Sequence, residues 1–156
     1  MIIVMSRCVL GRIITCIALL FLQLPIAAAG LEFRSIALSA AIGYDAPSQH
    51  AQRIYVTSAG YPVEVVVSLD AWVKVRDAAG DVFWVERKSL GDKRSVIVTA
   101  ERADVRSAPD DKAAPVFQAE RGVSLELVEY SGTLWVKVRH PDGETGFVRI
   151  VHIWGV

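Results

Sequence analysis

The chain has 156 residues, with 17 basic and 17 acidic side chains, and 53% of its residues are hydrophobic. This balance excludes the basic surface by which proteins bind nucleic acid. The two cysteines stand at positions 8 and 16, so the rest of the chain can form neither a disulfide nor a thiolate metal site.

The first 29 residues have the pattern of an export signal. Arg7 and Arg12 supply positive charge, residues 13–24 are almost wholly apolar, and three alanines at 27–29 match the small residues that a signal peptidase accepts. The apolar run of 12 residues is shorter than the roughly 20 that cross a bilayer as a helix. We therefore predict cleavage near Ala29, with an uncleaved membrane anchor as the alternative.

Cleavage there would leave about 127 residues with 15 basic and 17 acidic side chains, since the segment holds two arginines and no acidic residue. Neither cysteine follows the small residue expected at a lipoprotein cleavage site, so lipid attachment is not expected. The sequence predicts a periplasmic or secreted protein with no nucleic-acid partner and no membrane contact after cleavage.

The remaining chain contains the segment Trp-Val-Lys-Val-Arg twice, at 72–76 and again at 135–139, an offset of 63. Three further segments match in the same order, and such self-similarity marks a duplicated unit. The matched segments are 46–48 with 108–110, 60–65 with 122–126, and 82–85 with 145–148. We predict two repeats, at residues 33–90 and 95–156.

Each repeat is predicted to be all-β. Apolar and charged residues alternate in 73–76 and 136–139, which is typical of a strand with one buried face. The segments 77–80 and 140–143 have the composition of hairpin loops. About five short strands per repeat favour a small barrel. Because units of this size are marginally stable alone and no disulfide is available, we expect the two barrels to pack on each other.

The second repeat resembles the bacterial SH3-like domain. Arg106-Ser107-Ala108-Pro109 matches the turn of that family, Trp-Val-Lys-Val at 135–138 matches its central strand, and Gly146-Phe147-Val148 matches its Gly-aromatic-Val strand. The first repeat departs from the pattern, with Tyr-Asp-Ala-Pro at 44–47 and Phe-Trp-Val at 83–85. The resemblance implies a binding module of the cell envelope, since related modules are thought to contact peptidoglycan or its peptide stems.

Seven side chains are candidates for ligand binding. Aromatic rings line the grooves of SH3-type domains, and arginines bind carboxylates. The candidates are Trp72, Trp84, Tyr130, Trp135, Phe147, Arg106 and Arg139. The alternative is that the rings fill the seam between the repeats. If one repeat alone keeps a working groove, the second is favoured because it retains the Arg-Ser turn of the family.

We identify no catalytic residues, no metal ligands and no cofactor, because the three histidines are widely spaced and no serine lies in a nucleophile context. The leading hypothesis is a non-catalytic exported binding or scaffold protein that contacts peptidoglycan peptide or an envelope protein. One alternative is a subunit or inhibitor that acts only within a protein complex, and another is a cell-wall hydrolase. The oligomeric state stays open.

Overall fold

A computed structural model describes residues 31–130, 132 and 134–156. The predicted export signal at 1–29 lies outside these residues. Within the described ranges, no helix has the length and apolar character that crossing a bilayer would require.

The described chain forms two antiparallel sheets of seven strands each. The first sheet contains β1 (Phe33–Ile36), β2 (Ala40–Tyr44), β3 (Arg53–Ser58), β4 (Pro62–Ser68), β5 (Trp72–Arg76), β6 (Val82–Glu86) and β7 (Leu90–Gly91). The second sheet contains β8 (Ser95–Val98), β9 (Arg102–Arg106), β10 (Pro115–Glu120), β11 (Ser124–Glu129), β12 (Trp135–Arg139), β13 (Thr145–Arg149) and β14 (Ile153–Trp154).

The two sheets have the same strand order. The first is ordered β3-β2-β6-β5-β4-β1-β7, and the second is ordered β10-β9-β13-β12-β11-β8-β14. A 3-10 turn precedes the last strand in each case, at Arg87–Ser89 and at Ile150–His152. The prediction of two tandem all-β barrels is therefore confirmed. The first sheet runs from residue 33 to 91 and the second from 95 to 154; the repeat limits 33–90 and 95–156 remain our proposal.

Each sheet has two strands beyond the five or so that alternation predicted. The last strand of each sheet has only two residues, which is too short to show a period. The first strand of the second sheet, Ser95–Val98, is buried at all four positions. A strand buried on both faces shows no alternation of apolar and polar residues, so the pattern could not reveal it.

The valines of the repeated pentapeptide form the core of each barrel, as alternation predicted. Val73 and Val75 in β5 are at most 1% exposed, and Val136 and Val138 in β12 are fully buried. Burial of one such side chain is worth about 1.5–3 kcal/mol. Trp72 and its equivalent in β12 lie on the opposite, half-buried face.

The larger residue of an equivalent core pair comes from β6 in the first repeat and from β9 in the second. A Cβ atom added to Gly43 in β2 would lie 2.7 Å from the ring of Phe83 in β6. In the second repeat, a Cβ atom added to Gly146 in β13 would lie 2.7 Å from Cγ1 of Val105 in β9. Phe83 and Gly146 are equivalent, as are Gly43 and Val105. The departure of the first repeat at residue 83 is thus compensated by the glycine opposite it.

The two barrels contact each other, as the absence of disulfides led us to expect. The ring of Phe33 in β1 meets the indole of Trp154 in β14 edge to face, with centroids 5.0 Å apart. The hydroxyl of Ser95 lies 2.6 Å from the carbonyl oxygen of Gly60 and 2.5 Å from the hydroxyl of Ser35. Because one hydroxyl has a single proton, Ser95 donates to the carbonyl and Ser35 donates to Ser95.

Candidate functional site: two equivalent grooves

The face opposite the valine core carries most of the aromatic candidates. Antiparallel pairing places Trp72 opposite Glu86 and Lys74 opposite Trp84, so these four side chains share one face of the β5–β6 hairpin. Tyr44 of β2 pairs with Trp84 and joins the same face. Successive side chains of a strand point to opposite faces, so the alternation that buries the valines also brings two tryptophans and a tyrosine together on the other face.

A groove of about 770 Å³ runs along this face and is called here the first groove. It is lined by residues 47–50 of the β2–β3 loop, 70–72 at the start of β5, and 86–88 at the end of β6. Its volume lies within the range of about 300–1,000 Å³ that is common for ligand sites.

Trp72 provides the aromatic surface of the first groove, and Tyr44 holds its ring. The two rings meet edge to face, with centroids 5.3 Å apart and planes at 89°. Tyr44 is buried, whereas Trp72 is half-buried and lines the groove. A ring fixed in this way presents a large contact area and loses little rotational freedom when a ligand stacks on it.

Glu86 links the two sides of the first groove. Its carboxylate accepts a hydrogen bond from the side-chain amide of Gln49 and forms an ion pair of 2.8 Å with Lys88. The Lys88 ammonium and the Gln49 amide hold the pKa of Glu86 below its ordinary value. The carboxylate is therefore charged at neutral pH, and it ties the β2–β3 loop to the end of β6.

Arg87 fixes the wall of the first groove that the β4–β5 loop forms. Its guanidinium donates to the carbonyl oxygens of Asp70 at 2.9 Å and Leu69 at 2.5 Å, and to the hydroxyl of Ser68 at 2.6 Å. These bonds anchor the β4–β5 loop beside Trp72. Arg87 acts as a structural clamp for the groove, because its donors are engaged by the protein itself.

The second repeat has an equivalent but smaller depression of about 230 Å³, called here the second groove. It is lined by Asp104, Arg106, Asp111, Trp135, Arg149 and residues 151–152.

In the second groove a charged pair covers the tryptophan. The guanidinium carbon of Arg149 lies 5.3 Å from the ring centroid of Trp135, and the same guanidinium forms an ion pair with Asp111. Arg149 and Asp111 occupy the positions of Glu86 and Gln49 in the first repeat. A cation at this distance interacts favourably with the indole face, so one face of the Trp135 ring is occupied by the protein's own side chain.

Arg106 stabilises its own loop in the second repeat. One terminal nitrogen donates to the carbonyl oxygen of Ala113 at 2.8 Å, and the other binds the Asp104 carboxylate at 2.8 Å. The residue occupies the position of Tyr44 in the first repeat. The Arg-Ser turn of the family therefore closes the loop between β9 and β10.

Trp84 and Phe147 have the same environment in the two repeats. The ammonium of Lys74 lies 5.8 Å from the Trp84 ring, and that of Lys137 lies 5.9 Å from the Phe147 ring. Neither ring lines a groove directly. They lie beside the grooves on the same sheet face.

Two candidates lie elsewhere. Arg139 pairs with Glu126 at 3.5 Å and lines a cleft between the repeats. Tyr130 is 44% exposed beyond the end of β11 and lines neither groove.

The ring contacts also bear on the alternative that the aromatic candidates fill the seam between the repeats. Trp72 contacts Tyr44 of its own repeat, whereas the ring contact across the seam is made by Phe33 and Trp154.

Several residues that line or support the grooves were absent from the seven candidates. They are Tyr44, Gln49, Glu86, Asp111 and Arg149. A signal for two of them was present, because a hairpin turning at 77–81 places residue 86 opposite residue 72, and the second hairpin likewise places residue 149 opposite 135. The loop residues Gln49 and Asp111 could not be placed by strand pairing.

The first groove is suited to non-covalent recognition. It combines an aromatic face with a charged rim that contains Glu86 and Lys88. Among the residues that the structure describes, no cluster of three histidine, cysteine or acidic side chains could hold a metal ion.

The chain is similar in sequence to a known cell-wall protein and overlaps several solved structures. The cell wall-binding protein YwsB of Bacillus subtilis (strain 168) is 36% identical over 59 residues, which are 38% of this chain and 33% of the relative. The match thus spans about a third of that protein's length.

Two solved structures overlap the chain with a TM-score of 0.37. NlpC2 from Trichomonas vaginalis is 11% identical, and the overlap covers 81% of this chain and 48% of that one. An NlpC/P60 family protein from Bacillus cereus ATCC 10987 is 18% identical, with 79% and 56% covered.

The family described as the bacterial SH3 domain matches the chain twice. The matched residues are 40–92 and 99–155, which span β2 to β7 and β9 to β14. The chain therefore belongs to the bacterial SH3 domain family.

Proposed function

We propose that the protein is a non-catalytic, exported binding protein of the cell envelope that holds a peptide segment of peptidoglycan in the first groove. The observation that carries this proposal is Trp72, whose ring lines an open groove and is fixed edge-on by buried Tyr44. Membership of the bacterial SH3 domain family supports a binding role, and the name of the relative from Bacillus subtilis supports the cell wall as its target.

The first groove is preorganised for an extended chain. Arg87 fixes one wall and the Gln49–Glu86 contact fixes the other, so binding would order few side chains. A preorganised aromatic site retains more of its contact energy as affinity because less conformational entropy is lost. Tryptophans in such sites often contribute 2 kcal/mol or more, which corresponds to about a 30-fold change in affinity.

The geometry favours the first groove over the second, although the sequence favoured the second. The second repeat retains the Arg-Ser turn of the family, but Arg106 uses its donors to close a loop. Arg149 covers Trp135, whereas no cation lies over Trp72 among the ring contacts of the described residues. A ligand at the second groove would first have to displace the Arg149–Asp111 pair.

Co-sedimentation with purified peptidoglycan tests the proposal. The mature protein is expected to pellet with insoluble peptidoglycan, and Trp72→Ala is expected to weaken binding by tenfold or more because the stacking surface is lost. Trp135→Ala is the matched control, since it removes the equivalent ring from the covered groove and should weaken binding by less than about threefold.

Two results would count against the proposal. Failure of the intact protein to pellet, together with recovery of one envelope protein in a pull-down, would favour action within a protein complex. Release of soluble fragments from peptidoglycan, abolished by a point substitution, would favour the hydrolase alternative. Circular dichroism of both variants separates loss of binding from loss of fold.

The proposed export has its own test. Cell fractionation should recover the protein outside the cytoplasm, with a mature amino terminus at Gly30 or within a few residues of it. A cytoplasmic protein that retains residues 1–29 would contradict this part of the proposal. Retention of the segment in a membrane fraction would favour the anchor instead.

A further inference from the structure

A third depression lies between the two repeats, away from both grooves. Its volume is about 440 Å³, and it is called here the inter-repeat cleft. It is lined by residues 35–37, 59–60, 91–95, 124–126 and 139–141, and it shares no lining residue with either groove.

The inter-repeat cleft is lined by more cationic than anionic side chains, and both of its carboxylates are already paired. The carboxylate of Asp92 pairs with Arg34 at 2.7 Å, and that of Glu126 pairs with Arg139 at 3.5 Å. Lys93 and Arg94 also line the cleft, and neither pairs with a carboxylate of the described residues. Two positive charges are therefore left without a matching anion.

The guanidinium of Arg94 is held in place by the protein, but one of its hydrogen-bond donors has no acceptor. Its Nη2 donates to the carbonyl oxygen of Gly155 at 2.9 Å, and its guanidinium carbon lies 5.6 Å from the Phe33 ring centroid. Its Nε is buried and has no hydrogen-bond partner. Burial, followed by the charge of Arg34, lowers the pKa of Arg94. A buried donor without a partner is costly, and an anion supplied from outside would offset that cost.

Apolar surface lies beside these charges. Ala37, Ala59 and Pro141 line the cleft, and they come from both repeats. A ligand that fits would combine one negative group with a short apolar part. The cleft volume is that of a site for a small molecule, since such sites typically range from about 300 to 1,000 Å³.

We propose that the inter-repeat cleft binds a small organic carboxylate with a short apolar substituent, such as the carboxyl-terminal end of a short peptide, and that Lys93 and Arg94 contact the carboxylate. This site would exist whether or not the first groove binds peptidoglycan. Both repeats supply its walls, so occupancy would favour their packed arrangement.

A titration with N-acetyl-Ala-Ala, followed by amide chemical shifts of the full mature protein, tests this proposal. We expect saturable shifts at residues 91–95 and 139–141, with those of Trp72 unchanged. The C-terminal amide of the same dipeptide is the matched probe, because it differs in lacking the negative charge. It should bind at least about tenfold more weakly, as is typical when a charge-assisted hydrogen bond is lost.

Lys93→Gln and Arg94→Gln are each expected to weaken binding of the carboxylate by fivefold or more. Lys93 is exposed, so its variant tests the site even if Arg94→Gln disturbs the seam. Arg53→Gln is the control, because it removes an exposed cation that does not line the cleft. Equal binding of acid and amide, shifts centred on Trp72, or no saturable shift at all would overturn the proposal, whatever the outcome of the peptidoglycan experiment.

Discussion

The ring of Phe33 in the first strand of one repeat meets the indole of Trp154 in the last strand of the other, edge to face, with centroids 5.0 Å apart. Trp154 thus ties the end of the second repeat to the first repeat across the seam. An edge-to-face pair adds about 0.5–1.5 kcal/mol to the apolar area that it buries. The contact joins β1 to β14, so we expect the folding of one barrel to be coupled to that of the other.

Trp154→Ala should therefore destabilise the whole protein by about 2–4 kcal/mol, because a large ring is removed from a packed interface. Urea denaturation measures the change, and we expect the single transition to broaden as the barrels unfold less cooperatively. Val151→Ala is the matched control, since Val151 is 70% exposed three residues earlier in the chain. An equal effect of the two substitutions would show that the seam contributes no coupling.

In the second repeat the small and the large residue of the Gly43–Phe83 pair have changed places. Substitutions that make the same change in the first repeat should therefore compensate each other. Gly43→Val alone should destabilise the first repeat by at least about 2 kcal/mol, because its Cβ would lie 2.7 Å from the Phe83 ring and 2.7 Å from Cβ of Tyr55. Phe83→Gly alone should cost about 3–5 kcal/mol by leaving a cavity. The double variant reproduces the Val105–Gly146 pair of the second repeat. It should be more stable than the sum of the two costs predicts, because loss of the Phe83 ring relieves one of the two close contacts at residue 43.

A double-mutant cycle of unfolding free energies measures this coupling. The reverse pair, Val105→Gly with Gly146→Phe, gives the comparison in the second repeat. Compensation should be smaller there, because a Cβ atom at residue 146 would also lie 2.7 Å from the carbonyl oxygen of Arg106. Additive costs in both repeats would mean that the two sites do not share one space in the core.

Tyr55 supplies a test at high pH. Burial, with a smaller contribution from the Asp77 carboxylate, raises the pKa of Tyr55 to about 12. Because the pKa of Tyr55 is higher in the folded protein than in the unfolded chain, its protonated hydroxyl contributes to the free energy of unfolding. That contribution is complete below pH 10, the ordinary tyrosine value, and is lost as the pH rises towards 12.

Tyr55→Phe should remove the tyrosine absorbance step near pH 12 and reduce the loss of stability between pH 10 and 12. The second repeat has Phe117 at the equivalent position, so the variant is expected to fold. Spectrophotometric titration together with thermal melts at each pH checks both effects. If the absorbance step near pH 12 persists in the variant, it belongs to another tyrosine and not to Tyr55.

The two grooves can be interconverted by exchanging their rim residues. Gln49→Asp with Glu86→Arg places in the first repeat the pair that covers Trp135 in the second. We expect this double variant to lose peptidoglycan binding by tenfold or more, because a guanidinium would lie over Trp72. The single variant Glu86→Gln places no cation over Trp72 and can still accept a hydrogen bond from the Gln49 amide, so it should retain more binding than the double variant. A fully active double variant would mean that access to Trp72 does not limit binding.

The sequence was sufficient for the repeat, for the barrel class and for the buried valines, because each depends on a local period or on a short repeated segment. It did not show that Ser95–Val98 is a strand, since a strand buried on both faces has no alternation. It also did not show which tryptophan is accessible. Trp72 and Trp135 stand in identical pentapeptides, and the difference between them comes from Glu86 and Arg149 on the neighbouring strand.

Ligand binding at Trp72 can be measured directly by following the indole N–H signals of Trp72 and Trp135 while soluble peptide-bearing fragments of digested peptidoglycan are added to the ¹⁵N-labelled mature protein. We expect a saturable shift of the Trp72 signal at fragment concentrations that leave the Trp135 signal in place. A shift of Trp135 alone, or no shift of either indole while the protein still pellets with peptidoglycan, would contradict this expectation.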